Sequence, residues 1–128
     1  MGRRLAYLPA AIWAGFIAYL AGASNLPPVP TVTHLDKVAH FGAYFVLGCL
    51  LGLGWLAAGR RPGRGWLLLL ALLLGISDEI RQARRPDRSG EVADWLADAV
   101  GAAAGIVLVT NWPRRGRRNA GIRENDGQ

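Results

Sequence analysis

The chain has 128 residues, of which 52% are hydrophobic, and a formal net charge of +6. This length fits one small domain, and the single cysteine excludes an intrachain disulfide. The apolar residues form continuous blocks rather than alternating stripes, which is typical of membrane helices and argues against a soluble domain. The basic excess lies in short tails and one turn, where lipid head groups explain it, so it does not indicate a nucleic-acid-binding protein.

Four apolar blocks predict four membrane-spanning helices. Residues 5–26 carry no charge, and residues 38–58 contain His40 but no Lys, Arg, Asp or Glu. Both blocks are long enough to cross a hydrocarbon core of about 30 Å at about 1.5 Å per residue. A third helix covers residues 66–82 and is apolar until its last turns, and a fourth covers residues 92–112 with two aspartates near its start. We therefore predict an all-α fold, a four-helix transmembrane bundle with short connections.

A cleaved signal peptide is the alternative interpretation of the first block. Arg3 and Arg4 precede the apolar run, and the run ends in small residues at 21–24, as before a signal-peptidase site. However, the run exceeds the usual apolar region of about 7 to 15 residues. Three remaining spans would also leave the two chain ends on opposite sides of the membrane. We therefore favour a retained first span.

The basic residues predict that both chain ends face the cytoplasm, because Lys and Arg near span ends are retained there. In this N-in, C-in orientation, ten of the fifteen basic residues and two of the nine acids lie inside. Four Arg between residues 81 and 88 oppose this orientation. We assign residues 1–112 to the membrane domain and residues 113–128 to a disordered, basic cytoplasmic tail.

Polar residues begin the second span. Asp36, Lys37 and His40 lie at its predicted outer start, and Asp36, His40 and Tyr44 share one helix face at about 100° per residue. His40 is a candidate general base or metal ligand that Asp36 would orient. The alternative is an interfacial histidine bonded to a carboxylate on a neighbouring helix. Lys37 is expected as an interfacial anchor.

The third span ends in a polar cluster. Gly75, Glu79 and Gln82 align within about 60° on a helix, with Asp78 a further step round. A helix presents one of two adjacent acids inward more easily than both. We therefore expect Glu79 in the bundle interior, with Asp78 capping or pairing nearby. The alternative is a charged helix end that marks the water interface.

The fourth span carries two acids and two glycines on a single stripe. Asp94, Asp98, Gly101 and Gly105 align on one helix face. The glycines predict close approach of another helix, so the acids face that partner rather than lipid. A charged carboxylate at this depth costs up to about 3 kcal/mol on insertion scales, which implies a partner, a bound cation or a protonated state. The alternative is a set of buried hydrogen bonds or ion pairs that hold the helices in register.

Residues 81–91 connect the last two spans and carry four Arg, with a turn signal at Pro86 and Gly90. Such an arginine cluster could clamp a phosphate or pyrophosphate bidentately, and Arg88 is its main candidate. Pairing of these arginines with the adjacent acids is the simpler interpretation.

At these residues the chain resembles the VanZ-like family, small bacterial membrane proteins named for a member associated with teicoplanin resistance. The resemblance rests on DKVAHFGAYFVLG at 36–48 and SDEIRQARRPDRSGEVADWLADAVGAAAG at 77–105, and it extends over nearly the whole chain to about residue 110. It implies the four-helix fold and a retained first span, but it brings no established reaction. Asp98 falls where many members carry Asn, which leaves open whether this position must ionise.

We expect the polar residues of the three motifs and the arginine connection to converge near the outer membrane interface. They are Asp36, Lys37, His40, Glu79, Gln82, Arg88, Asp94 and Asp98. There they would bind the polar head of a lipid-linked envelope precursor or a lipoglycopeptide, as in teicoplanin-type resistance, with no bond changed. The expected partners are this ligand and membrane lipids, and the expected location is the bacterial cytoplasmic membrane.

Two other functions stay open. In an enzyme, His40 with Glu79 or Asp94 would supply general base and acid, and Arg88 would stabilise developing negative charge. A proton or cation relay is favoured by intramembrane acids and disfavoured by their clustering at one face. The sequence has no His-Glu-x-x-His, P-loop or Gly-x-Ser-x-Gly motif, so we expect neither a metal site nor a cofactor.

Overall fold

The computed structural model describes residues 2–23, 33–60, 62–84 and 92–112. In this part of the chain, a short 3-10 helix at Leu5–Tyr7 leads into four α-helices. They are α1 (Leu8–Gly22), α2 (Thr33–Ala57), α3 (Arg64–Ala83) and α4 (Val92–Thr110). The predicted all-α, four-helix fold is confirmed, whereas the orientation in the membrane stays a prediction. Arg88 and the predicted tail at 113–128 lie outside the described residues.

The helices have the length and surface of membrane spans. Three segments, Leu5–Gly22, Leu35–Ala57 and Val92–Thr110, are long and apolar enough to cross a membrane. The fourth helix, α3, has 20 residues but is more polar, because it begins at Arg64 and ends in a polar cluster. Large apolar side chains are exposed on the outside of every helix, as expected for surfaces that face lipid; they include Ile12, Val38, Leu73 and Val100. The chain is therefore a membrane protein.

Helices α2 and α4 form the most extensive contact of the bundle and run parallel. Gly48 of α2 lies against Ala102, and Gly52 lies against Val109, so the two helices advance in the same direction. A Cβ added at Gly105 would come within 2.7 Å of the Cys49 backbone nitrogen. Glycine therefore allows the two backbones to touch, in the manner of small-residue interfaces in membranes.

Helices α1 and α3 pack against this pair in the opposite direction. The indole of Trp13 on α1 donates a hydrogen bond to the carbonyl of Ala43 on α2, with a distance of 2.9 Å between the two atoms. Arg64 at the start of α3 donates to Asn111, just past the end of α4, at 3.1 Å. The alternation places the starts of α2 and α4 and the end of α3 at one end of the bundle.

Candidate functional site

The polar residues of α2, α3 and α4 meet at this shared end. Asp36 lies in the first turn of α2, and Asp94 lies in the first turn of α4. Acids are favourable at these positions because the amino end of a helix carries partial positive charge. Asp78 and Glu79 approach the same end from the last turns of α3. The topology thus gathers acids that are distant in the sequence.

The centre of the cluster is a hydrogen bond between His40 and Asp98. The Nδ1 atom of His40 lies 2.8 Å from Oδ1 of Asp98, whose side chain is only 1% exposed. When Asp98 is ionised its carboxylate can only accept, and the imidazole then carries its proton on Nδ1 and donates it to Asp98. In the neutral imidazole, the lone pair then lies on Nε2. A histidine oriented in this way can accept a proton or bind a metal ion.

The other ring nitrogen of His40 faces two further carboxylates. Its Nε2 lies 3.9 Å from Oδ1 of Asp36 and 4.0 Å from Oδ2 of Asp94. Both distances exceed the range of a hydrogen bond, so these contacts are electrostatic. The ammonium of Lys37 lies 3.6 Å from Oδ1 of Asp94. The side chains of Asp36 and Lys37 are 36% and 32% exposed, whereas those of Asp94 and Asp98 are buried. The cluster therefore leads from the surface into the bundle.

A second buried network lies beside the first. Tyr44 on α2 donates its hydroxyl proton to Oδ2 of Asp78, and Arg81 donates to Oδ1 of the same carboxylate at 3.2 Å. From the sequence we expect Glu79 to face the interior in preference to Asp78. The structure buries Asp78, and Glu79 also lies within reach of His40. Both acids are accommodated, because Asp78 is paired with Tyr44 of α2 and Arg81 of its own helix, while Glu79 lies near His40 of α2 and Asp98 of α4.

His40 belongs to two groups that have the spacing of metal ligands. One group contains Asp36, His40 and Asp94, and the other contains His40, Glu79 and Asp98. Within each group the candidate ligand atoms lie within 4.8 Å of one another. The absence of a metal site stays a prediction from sequence motifs, and motifs cannot detect ligands that three separate helices supply.

The remaining predicted residues lie around this centre or outside the described chain. Gln82 is buried on the same face of α3 as Asp78. Gly101 and Gly105 lie directly against the backbone of α2, next to the acids of their stripe. Arg88 falls in the connection that is not described. The structure thus brings six of the eight predicted binding residues into one network of contacts; they are Asp36, Lys37, His40, Glu79, Asp94 and Asp98.

Two structural contributors were missed by the sequence reasoning. Gly48 and Gly52 of α2 repeat the four-residue spacing of the α4 glycines and lie on the facing surface, a signal that the sequence does contain. Trp95 packs against Gly75, and its indole donates to the carbonyl of Leu72 at 3.3 Å. This contact seals the α3–α4 interface beside Asp98, and no spacing rule would have identified it.

Comparison with curated proteins and with solved structures finds no match. Comparison with protein families does find one. The pattern of the VanZ/LLP1 family matches residues 5–113. The match covers α1 to α4 and every described residue of the polar cluster. The chain belongs to the VanZ/LLP1 family.

Proposed function

We propose that this multi-pass protein of the bacterial cytoplasmic membrane binds the polar head of a lipid-linked envelope precursor or a lipoglycopeptide at the outer membrane interface. The observation that carries the proposal is the graded polar cluster at one end of an apolar bundle. Its accessible rim is formed by Asp36 and Lys37, and its buried floor by His40, Asp94 and Asp98. A head group at this end would keep its lipid chain beside the apolar outer surfaces of the helices.

Each part of the cluster has a role in recognition. Lys37 would pair with a phosphate or carboxylate of the ligand, helped by Arg88 of the neighbouring connection. Asp36 and Asp94 would accept hydrogen bonds from sugar hydroxyls or peptide amides. A hydrogen bond to a charged group contributes about 1.5–3 kcal/mol, so a few of them account for selective binding. In this function the protein alters access of an antibiotic to its target, as in teicoplanin-type resistance, and no bond is changed.

An enzyme is the second candidate, and the His40–Asp98 hydrogen bond is the observation that favours it. Asp98 orients the imidazole and would stabilise its protonated form, as the acid of a catalytic triad does. Nε2 then faces the accessible side of the cluster and would take a proton from a water molecule or from a ligand hydroxyl. Glu79 or Asp94 would supply the acid.

The first experiment measures teicoplanin susceptibility of a Gram-positive host that expresses the wild type, Lys37→Gln or Asp94→Asn, with membrane abundance determined in parallel. We expect the wild type to raise the inhibitory concentration and both variants to lose the effect at equal abundance. Arg64→Gln is the matched control, because it removes a cation from the opposite end of the bundle. An unchanged susceptibility with wild type would rule out this resistance role in that host.

A second measurement separates binding from catalysis. Lipid extracts from cells expressing the wild type and His40→Asn are compared by mass spectrometry, and head-group binding is measured on the same purified proteins. A binding protein leaves the precursor masses unchanged, and its His40→Asn variant binds more weakly. A precursor mass that changes with the wild type and not with His40→Asn would establish the enzyme instead.

A further inference from the structure

The imidazole of His40 has a geometry that hydrogen bonding alone does not explain. Its Nδ1 proton goes to Asp98, while Nε2 faces Asp36 and Asp94 at 3.9 and 4.0 Å. Those two distances are too long for hydrogen bonds. We propose that Nε2 of His40 and one carboxylate oxygen each from Asp36 and Asp94 bind a divalent transition-metal cation, with Zn²⁺ the best match.

The separations suit a shared ion. In a tetrahedral zinc site, bonds of about 2.0–2.2 Å place neighbouring ligand atoms about 3.4 Å apart. The distances from Nε2 to the two carboxylates exceed this value by about half an ångström. Asp36 is 36% exposed and lies in the first turn of α2, so its side chain can move inward without disturbing the core. A water molecule or a ligand oxygen would take the fourth position.

Asp98 supports the proposed site by contacting the other ring nitrogen of His40. Metal-bound histidines donate their second ring N–H to a carboxylate, which fixes the ring and raises the basicity of the ligand nitrogen. Asp98 is buried and accepts this bond through Oδ1 at 2.8 Å. Its Oδ2 is also buried and has no hydrogen-bond partner among the described residues. The buried carboxylate of Asp98 therefore has one donor, His40, for its two oxygens among the described residues, and a cation bound at Nε2 would offset its negative charge through the ring.

The charges around the ring support the same conclusion. Four carboxylates, those of Asp36, Glu79, Asp94 and Asp98, lie around His40, and Lys37 contacts the carboxylate of Asp94. Buried charges are tolerated when they are paired or when they coordinate a metal. A mixture of one imidazole with carboxylates suits Zn²⁺ or Mn²⁺ better than Mg²⁺, which prefers oxygen ligands.

Of the two candidate ligand groups, the outer group of Asp36, His40 and Asp94 suits an ion better than the inner group of His40, Glu79 and Asp98. An ion between His40, Glu79 and Asp98 would have to use Nδ1, because that nitrogen faces Asp98. Binding there would break the 2.8 Å hydrogen bond and would bury the ion away from the accessible rim. Binding at Nε2 keeps this bond and places the ion beside Asp36, whose side chain is partly exposed. The fourth coordination position of the ion would then be open to a water molecule or a ligand oxygen.

The test is zinc titration of the full-length protein, purified in detergent without a polyhistidine tag and stripped with a chelator. Isothermal calorimetry should give one Zn²⁺ per chain, and the wild-type unfolding midpoint should rise with zinc. His40→Asn, Asp94→Asn and Asp36→Asn should each weaken zinc binding at least tenfold. Asp98→Asn should weaken it by about 10- to 100-fold, as changes in the outer shell of metal sites do.

Asp78→Asn is the matched control, since it removes a buried acid of the same end that belongs to neither ligand group. Asp36→Asn is the decisive variant, because its partly exposed side chain can change without loss of the fold. The inference is overturned if the wild type binds no zinc, or if folded Asp36→Asn binds it as tightly as wild type. Loss of binding in Glu79→Gln with retention in Asp36→Asn would place the ion at the inner group and would equally overturn it. These outcomes do not depend on head-group binding, because no lipid precursor or antibiotic is present.

Discussion

Replacing Gly105 with alanine should loosen the bundle and the polar cluster together. The three atoms nearest to a Cβ at this position are backbone atoms of α2. The Cβ would overlap the carbonyl oxygen of Phe45, lie 2.7 Å from the nitrogen of Cys49 and lie 3.0 Å from the carbonyl carbon of Gly48. Backbone atoms inside a helix cannot rotate away as a side chain does. Ordinary contact begins at 3.4 Å, so the Cys49 contact alone requires α2 and α4 to separate by about 0.7 Å.

Two opposing effects determine how much Gly105→Ala changes the free energy of unfolding. Overpacking of this kind costs about 1–3 kcal/mol, and the higher helix propensity of alanine returns up to about 1 kcal/mol. Gly105 lies seven helical steps, or about 10 Å, from Asp98, so a separation at Gly105 reaches the acid end. It would lengthen the 2.8 Å contact between His40 and Asp98 to about 3.5 Å, beyond the usual range of a hydrogen bond. We expect a net loss of about 1–2 kcal/mol in the free energy of unfolding, and more where this bond is broken completely.

The assay is reversible unfolding of the purified protein in mixed micelles, followed by circular dichroism as the denaturing detergent is increased. Gly42→Ala is the matched control, because a Cβ at Gly42 has no other atom within 4 Å. Its stability should be unchanged or slightly higher. Equal unfolding midpoints for Gly105→Ala and Gly42→Ala would refute the backbone contact between α2 and α4.

Two further substitutions test the buried networks in the same assay. His40→Ala leaves the carboxylate of Asp98 in the interior without its donor and should cost about 3–5 kcal/mol, whereas the double variant His40→Leu/Asp98→Leu should recover much of this loss. A double variant no more stable than His40→Ala would contradict the pairing. Tyr44→Phe removes the hydroxyl that donates to Asp78 and should cost about 1–3 kcal/mol. A midpoint equal to wild type would show that this hydroxyl contributes nothing to stability.

Three of the described helices could be predicted directly from the sequence because their apolar blocks are long enough to span a membrane. The third helix, α3, was the hardest to recognise, since its polar end shortens the apolar run. Among the four α-helices of the described residues, it is the one that length and hydropathy do not identify as a span. The chain nevertheless continues as a helix to Ala83 because the neighbouring helices receive the polar side chains. The predicted end of this helix at residue 82 lies one residue from the observed end.

The pairing of side chains could be predicted only in part. Helical periodicity places Asp36 next to His40, and the structure has them 3.9 Å apart. The shorter contact of His40 is with Asp98 on another helix, and it depends on the register between α2 and α4. That register is determined by backbone contacts at glycines on both helices, among them Gly48 and Gly101. The residue pattern of one helix contains no information about the axial position of the neighbouring helix relative to it.

Helical periodicity also could not decide which of Asp78 and Glu79 is buried in the bundle. A helical projection measures the angle between two side chains, but it cannot show which neighbouring surface each one meets. Asp78 is buried because Tyr44 supplies a hydroxyl donor and Arg81 a guanidinium. The expectation of a single inward acid assumed one partner helix, whereas α3 contacts both α2 and α4.

The surplus of acids distinguishes a binding site from a device that only holds the helices together. The glycine contacts already fix both the distance and the register between α2 and α4, and the bond between His40 and Asp98 adds a further link between them. Asp36 and Lys37 add charges at the accessible rim, where exposed charges contribute little to stability, and Asp94 adds a further carboxylate on the buried floor. A purely structural contact would gain nothing from carboxylates directed at the second nitrogen of the same histidine. Their arrangement is explained when a cation or a polar head group occupies the rim, which is why Asp36→Asn should reduce binding while leaving the unfolding midpoint nearly unchanged.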